Sequence, residues 1–147
     1  MGSVKDLMIL ENPTKTAPGR ARFTFSDRYS VFDWGEMPDH IDNKGAAINL
    51  LAAYFFEKLE TMGINSHYIG LVEDNEAKRL SDLKAPSNVM EIKLLNVIKP
   101  GLKGEDYDYS MYKPDETGFL IPLELIYRNS LPAGSSVFRR LEKGSIT

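Results

Sequence analysis

Two stretches of this 147-residue chain concentrate side chains able to do chemistry. The first runs Arg128-Asn129-Ser130-Leu131-Pro132-Ala133-Gly134-Ser135-Ser136 and on to Arg139 and Arg140. An arginine leaves an apolar run, a Gly-Ser-Ser turn follows, and a helix is expected over 137–143 with Ser135 or Ser136 as its cap. Free amides at a helix start, serine hydroxyls and guanidinium groups together favour an anion, and a phosphomonoester would fit. The plainer alternative is that Ser135 only caps a helix and the arginines are solvated. The second stretch, 26–39, packs Asp27, Arg28, Asp33, Glu36 and Asp39 among Tyr29, Phe32 and Trp34. Carboxylates clustered beside an arginine can hold Mg²⁺ or a cationic substrate. The alternative is a surface loop whose charges pair with one another.

Two lysines add to this. Lys5, in an apolar segment near the start, could reach a phosphate as a point charge. Lys44 precedes Gly45 where a helix begins, and a cation there opposes the helix dipole. His40 and His67 have no assignable partner and read as structural. No P-loop, dinucleotide-binding glycine fingerprint or hydrolase elbow occurs.

Composition narrows the field. Cysteine is absent, so disulfides and thiolate metal sites are excluded, and two histidines cannot make an all-histidine zinc site. The formal net charge of −3 argues against non-specific nucleic-acid binding. No apolar run approaches the roughly 20 residues that span a bilayer, and the first ten residues lack a signal-peptide pattern. A cytoplasmic location is the expectation. With 42% apolar residues, seven Phe and seven Tyr, a chain of this length can pack a core without staples.

The elements that must position these residues follow from periodicity. Apolar residues at 4–10 end in Glu11-Asn12-Pro13, and 21–25 alternates with period two; together they predict a hairpin. Ile48, Leu51, Ala52, Phe55, Leu59 and Met62 predict one amphipathic helix with that face inward, Asn49, Glu57 and Glu60 outward, and Gly63 as its stop. Strands are expected at 66–72 and 88–98, the latter with Met90, Ile92 and Leu94 on one face and Glu91 and Lys93 on the other. Residues 75–83 have room for one helical turn, 99–118 reads as a long loop, and 119–127 as a strand interrupted by Pro122. The sum is an α+β fold, an antiparallel sheet with one main covering helix.

At these segments the chain resembles the SAICAR synthetase (phosphoribosylaminoimidazole-succinocarboxamide synthase) family, in its archaeal form. The stretches are Gly2-Ser3-Val4-Lys5-Asp6-Leu7; Phe25-Ser26-Asp27-Arg28-Tyr29-Ser30-Val31-Phe32-Asp33; Lys44-Gly45 with Asn49 and Phe55-Phe56; Gly63-Ile64 with His67; and Pro122-Leu123-Glu124 with Arg128-Asn129 and Gly134-Ser135. They stand in the family's order and cover most of the chain.

The resemblance implies an ATP- and Mg²⁺-dependent ligase of purine biosynthesis, which joins L-aspartate to the carboxylate of carboxyaminoimidazole ribotide (CAIR) through an acyl phosphate. It implies that Lys5 approaches the ATP phosphates and that backbone near Leu120 meets the adenine. Asp27, Arg28 and Asp33 would be the catalytic residues around a substrate pocket. Ser30, Lys44, Glu124, Arg128, Gly134 and Ser135 would bind substrate, Arg128 and Ser135 at the ribotide 5′-phosphate. It further implies a first domain over 1–118, and over 119–147 a hinge strand with the start of a second, ATP-binding domain. Ser3 stands where many relatives carry a lysine. The family's Asp-x-Lys-x-Glu stretch, which ligates metal and phosphates, has no counterpart here, so no metal ligand is assigned and these residues alone are expected to be inactive. The rival is a non-catalytic nucleotide- or ribotide-phosphate-binding module of the same fold; a third possibility is an interaction fragment. Small-molecule substrates are the expected partners, with no nucleic acid and no membrane; a homo-oligomer stays open.

Overall fold

A computed structural model describes residues 4–31, 34–113 and 118–145. Five antiparallel strands form one sheet: β1 (Lys5–Glu11), β2 (Gly19–Phe25), β3 (Tyr68–Glu73), β4 (Glu76–Lys78) and β5 (Val89–Leu94), in the order β1-β2-β5-β3-β4. The hairpin β1–β2 is as the alternation predicts, with Lys5 opposite Phe25, Leu7 opposite Phe23 and Ile9 opposite Ala21. Between β3 and β4 the turn residues Asp74 and Asn75 both have positive φ, as a two-residue hairpin turn matching the sheet twist requires. A short 3₁₀ turn, Leu80–Asp82, follows where one helical turn is expected.

One helix, α1 (Lys44–Thr61), covers one sheet face, and Gly63 at φ +77° ends it. Its phase differs from the apolar periodicity. The buried residues are Gly45, Asn49 and Ala53, with Leu50, Ala52 and Phe56 partly buried beside them. Ile48, Leu51, Phe55 and Met62, expected inward, are exposed. The reason is close approach. A Cβ on Gly45 would lie 2.3 Å from the Phe25 carbonyl oxygen, so only a small-residue stripe lets the helix sit this near β2. Asn49, expected outward, is fully buried, and its amide donates to the Ser87 carbonyl at 2.9 Å. The core is Ala21, Ala53, Tyr68, Leu71, Met90 and Ile92.

The far end of α1 is tied down by Glu57, whose Oε1 accepts from the Tyr68 hydroxyl at 2.8 Å and the Leu80 amide at 2.9 Å. Glu91 lies on the opposite sheet face, as its alternation with Met90 and Ile92 predicts, and is only 4% exposed. It is held by Arg22 at 3.0 Å and Arg20 at 3.5 Å, and Arg22 in turn donates to the Asn75 carbonyl at 2.8 Å. A carboxylate this buried persists because two guanidinium groups compensate it.

Two further differences concern the second half. The expected loop over 99–118 contains a hairpin, β6 (Gly101–Lys103) with β7 (Asp106–Asp108), turned at Gly104 with φ +71°. The expected strand over 119–127 is absent: Phe119 makes one parallel bridge to Asn96, and 120–127 is exposed and irregular. A strand needs a neighbour, and Pro122 removes one donor; among the described residues no strand pairs with 121–127. The last helix, α2 (Ser136–Glu142), forms as expected with Ser135 as its cap.

Gly45→Ala is a signed test of the close approach. In an exposed helix it would stabilise by about 1 kcal/mol; here we expect a loss of about 1–3 kcal/mol from overpacking, read as a lower urea midpoint.

Candidate functional site

Lys5, Asp27, Arg28, Ser30 and Lys44 come together at one corner of the sheet. β2 ends at Phe25 opposite Lys5, and the chain turns at once into Ser26 and Asp27. The Ser26 amide and hydroxyl both donate to the Val4 carbonyl, each at 3.0 Å, which closes the corner. The Asp27 carboxylate accepts the Gly45 amide at 2.8 Å and the Asn43 amide at 3.1 Å. Helix α1 has no cap of its own: Asn43 is left-handed at φ 62°, its side chain makes no cap bond, and the first turn holds no acidic residue. Asp27 therefore caps α1 from a distance and offsets the Lys44 cation at the dipole's positive end.

Arg28 is held just as firmly. Its guanidinium donates to both Asp6 carboxylate oxygens at 3.1 and 3.0 Å and to the Ser26 hydroxyl at 3.0 Å, with Glu36 at 3.8 Å. Ser30 is exposed and bridges to Glu36 across the loop. The Tyr29 hydroxyl donates to Asp39 at 3.4 Å, and both the desolvation there and that carboxylate raise its pKa. Among the described residues of this loop, the Asp27 carboxylate is thus engaged with the helix amides, and those of Glu36 and Asp39 with Arg28 and Tyr29. Among the described residues no group of three or more His, Asp or Glu side chains converges. Asp33 lies outside the described residues.

Lys5 is different. Its ammonium sits 4.2 Å above the Phe23 ring and 5.7 Å from that of Phe25. Among the described residues no carboxylate forms an ion pair with it. It stands at the end of a bare strip. The rows Leu7–Phe23–Met90 and Ile9–Ala21–Ile92 share the α1 face, and their β5 and β2 ends lie in or against the core. At β1 the same rows emerge, leaving Leu7 and Ile9 about half exposed. From Ile9 to Lys5 the strip runs about 13 Å. It is an apolar strip with one cation at its end.

His67 edges the Phe23 and Phe56 rings at centroid distances of 6.4 and 5.0 Å. Burial against them, then the Lys5 charge, lowers its pKa below 6.5.

The other predicted site residues do not join this corner. Glu124 and Arg128 lie in the exposed run after Phe119, and Gly134 is in a turn. Ser135 accepts the Val137 amide at 3.3 Å, as a helix cap does. Arg139 and Arg140 lie in the last turn of α2, away from its N-terminus. The Leu120 amide donates to the Asn96 carbonyl at 2.8 Å, so only its carbonyl is left to meet a ligand. Sequence reasoning missed Asp6 as the Arg28 partner, and it missed Asn96. The signal for Asn96 was a lone amide inside the apolar run 94–98.

Comparison with known proteins agrees in one direction. A family model described as SAICAR synthetase matches residues 2–145. An Archaeoglobus fulgidus protein, provisionally named phosphoribosylaminoimidazole-succinocarboxamide synthase, is 54% identical over 98% of this chain and 42% of its own length. The Thermoplasma volcanium phosphoribosylaminoimidazole-succinocarboxamide synthase is 29% identical over 84% of this chain and 33% of its own. The chain thus spans less than half the length of either relative. A solved SAICAR synthase structure overlaps 67% of this chain and 33% of its own at a TM-score of 0.48 and 17% identity, too slight a likeness to add weight.

Because His67 disfavours its charged form when folded, the unfolded chain binds the proton more readily. Its contribution to stability is complete above pH 6.5 and is lost as the pH falls through 6.5 toward the folded pKa. In an NMR titration we expect the His67 ring protons to move with a midpoint below 6.5, and Lys5→Met to bring that midpoint upward.

Proposed function

The chain belongs to the SAICAR synthetase family, and on that premise we propose that it supplies one wall of a ligase site where L-aspartate is joined to the carboxylate of CAIR at the expense of ATP. The bare strip on β1 is the observation that supports this reading. The apolar faces of a nucleobase can pack on the exposed Leu7 and Ile9 side chains, and a polyphosphate running toward Lys5 meets an ammonium that no described carboxylate neutralises. The strip's other end, at Ile9 and Glu11, adjoins the β1–β2 loop, to which Asn96 and Gly118 are hydrogen-bonded or packed. Adenine there would meet the Leu120 backbone.

In this reading a CAIR carboxylate oxygen takes the γ-phosphoryl group and ADP leaves. The aspartate amine then attacks the acyl carbon, phosphate departs with the bonding electron pair, and the nitrogen loses a proton as the amide forms. Lys5 balances phosphate charge. Asp27 acts by fixing the start of α1, which carries Lys44, and Arg28 and Ser30 border the substrate side. Asp33 belongs to the same signature. Arg128, Gly134 and Ser135 hold the ribotide phosphate and Glu124 the substrate, once the exposed run from Leu120 finds its neighbour. Residues 1–118 then form one domain and 119–147 the hinge and the beginning of the next. Mg²⁺ enters no step assigned to these residues.

One wall does not make a catalyst. We expect the 147-residue chain, given CAIR, aspartate and ATP, to release no ADP above background in a coupled assay, and to bind ATP weakly, near millimolar. Robust turnover would overturn the one-wall reading, and tight ATP binding would favour a self-sufficient binding module. In a polypeptide of the relatives' length, Arg128→Ala should weaken ribotide binding about 10- to 100-fold and leave ATP affinity nearly unchanged; an unchanged ribotide affinity refutes the role.

A further inference from the structure

Asn96 is where three separate pieces of backbone meet. β5 ends two residues earlier, at Leu94. The chain then departs through the β6–β7 hairpin and returns so that Phe119 lies parallel beside Asn96. The Asn96 amide donates to the Gly118 carbonyl at 3.0 Å, and its carbonyl accepts the Leu120 amide at 2.8 Å. Its side-chain amide donates to the Gly118 carbonyl at 3.2 Å and to the Thr14 carbonyl, in the β1–β2 loop, at 2.8 Å. The return is tight. Gly118 has φ +86°, and a Cβ there would lie 3.3 Å from the Lys15 carbonyl oxygen. Beyond Leu123 the segment has no backbone hydrogen bond before Ser135 among the described residues.

We infer that Asn96 is a positioning residue for the nucleotide base. Through its side-chain amide it locks the Gly118–Leu120 backbone to the β1–β2 loop, and so sets the distance between the Leu120 carbonyl and the apolar strip of Leu7 and Ile9. This rests on the reading of that strip as the ATP site and adds to it a residue that touches neither base nor phosphate. Its effect is confined to the base end, because Lys5 is held by Phe23 and Phe25 at the other end of β1.

The test is an NMR titration of the ¹⁵N-labelled chain with ATP and, separately, with inorganic tripolyphosphate, which has the charge but no base. Asn96→Asp keeps the shape and removes the donors to Thr14 and Gly118. ATP is expected to shift the amides of Ile9, Ala21 and Leu120 in the parent chain. Asn96→Asp should raise the ATP dissociation constant about tenfold and leave tripolyphosphate unchanged. Equal ATP affinity in the two proteins, or an equal loss for both ligands, overturns the inference. Should Asn96→Asp lose its dispersed spectrum, Gly118→Ala perturbs the same junction from the other side, and the same base-selective loss is required of it. If ATP shifts nothing in the parent chain, the nucleotide reading of the strip fails first and takes this inference with it.

Discussion

The Asp27 carboxylate on the amides of Asn43 and Gly45 is the contact on which the rest of this structure depends. It does two jobs that would otherwise fall to different residues. It supplies acceptors to a helix that begins with a left-handed residue and a lysine and has no local cap. It also draws that helix onto the end of β2, where only glycine permits the approach. The position of α1 across β2, β5 and β3 follows, and with it the fact that β1 is left uncovered. The apolar strip is therefore a by-product of where the helix is anchored: a helix drawn half a strand further would bury Leu7 and Ile9 and leave no exposed strip.

The same contact bears on a residue that the resemblance would make catalytic. Asp27 and Arg28 are adjacent, both charged and both in a family motif, and chemistry is the natural first reading. Their geometry says that each is already committed, Asp27 to helix amides and Arg28 to Asp6, Ser26 and Glu36. Lys5, held by aromatic faces without a carboxylate partner among the described residues, is the group at this corner whose charge is still available.

Much of the architecture was legible before any coordinates. The β1–β2 hairpin, the extent of α1, the cap of α2 and the strands around Tyr68 and Met90 all follow from local pattern and turn chemistry. The phase of α1 did not, because hydrophobic periodicity assumes that the largest apolar residues face inward, whereas close packing here selects Gly45, Asn49 and Ala53. Alternation puts Glu91 on the face opposite Met90 and Ile92, as found, but carries no knowledge of Arg20 and Arg22, the latter paired with it across β2 and β5, which bury it. Residues 119–127 have the composition of a strand, but pairing is a property of two segments, and one segment cannot declare it. At the site, the identities came from motif resemblance, while Asn96 and Asp6 became visible only through hydrogen bonds between residues far apart in sequence.

The excursion from Asn96 to Phe119 leaves and re-enters the fold at points already hydrogen-bonded to each other. The bonds at its two ends carry the entropy of closing it, and that entropy grows only slowly with length. Such a stem is a natural insertion point. The hairpin can lengthen, shorten or diversify among relatives while Leu94 and Leu120 keep their spacing, much as a sleeve can be recut without moving the shoulder seam.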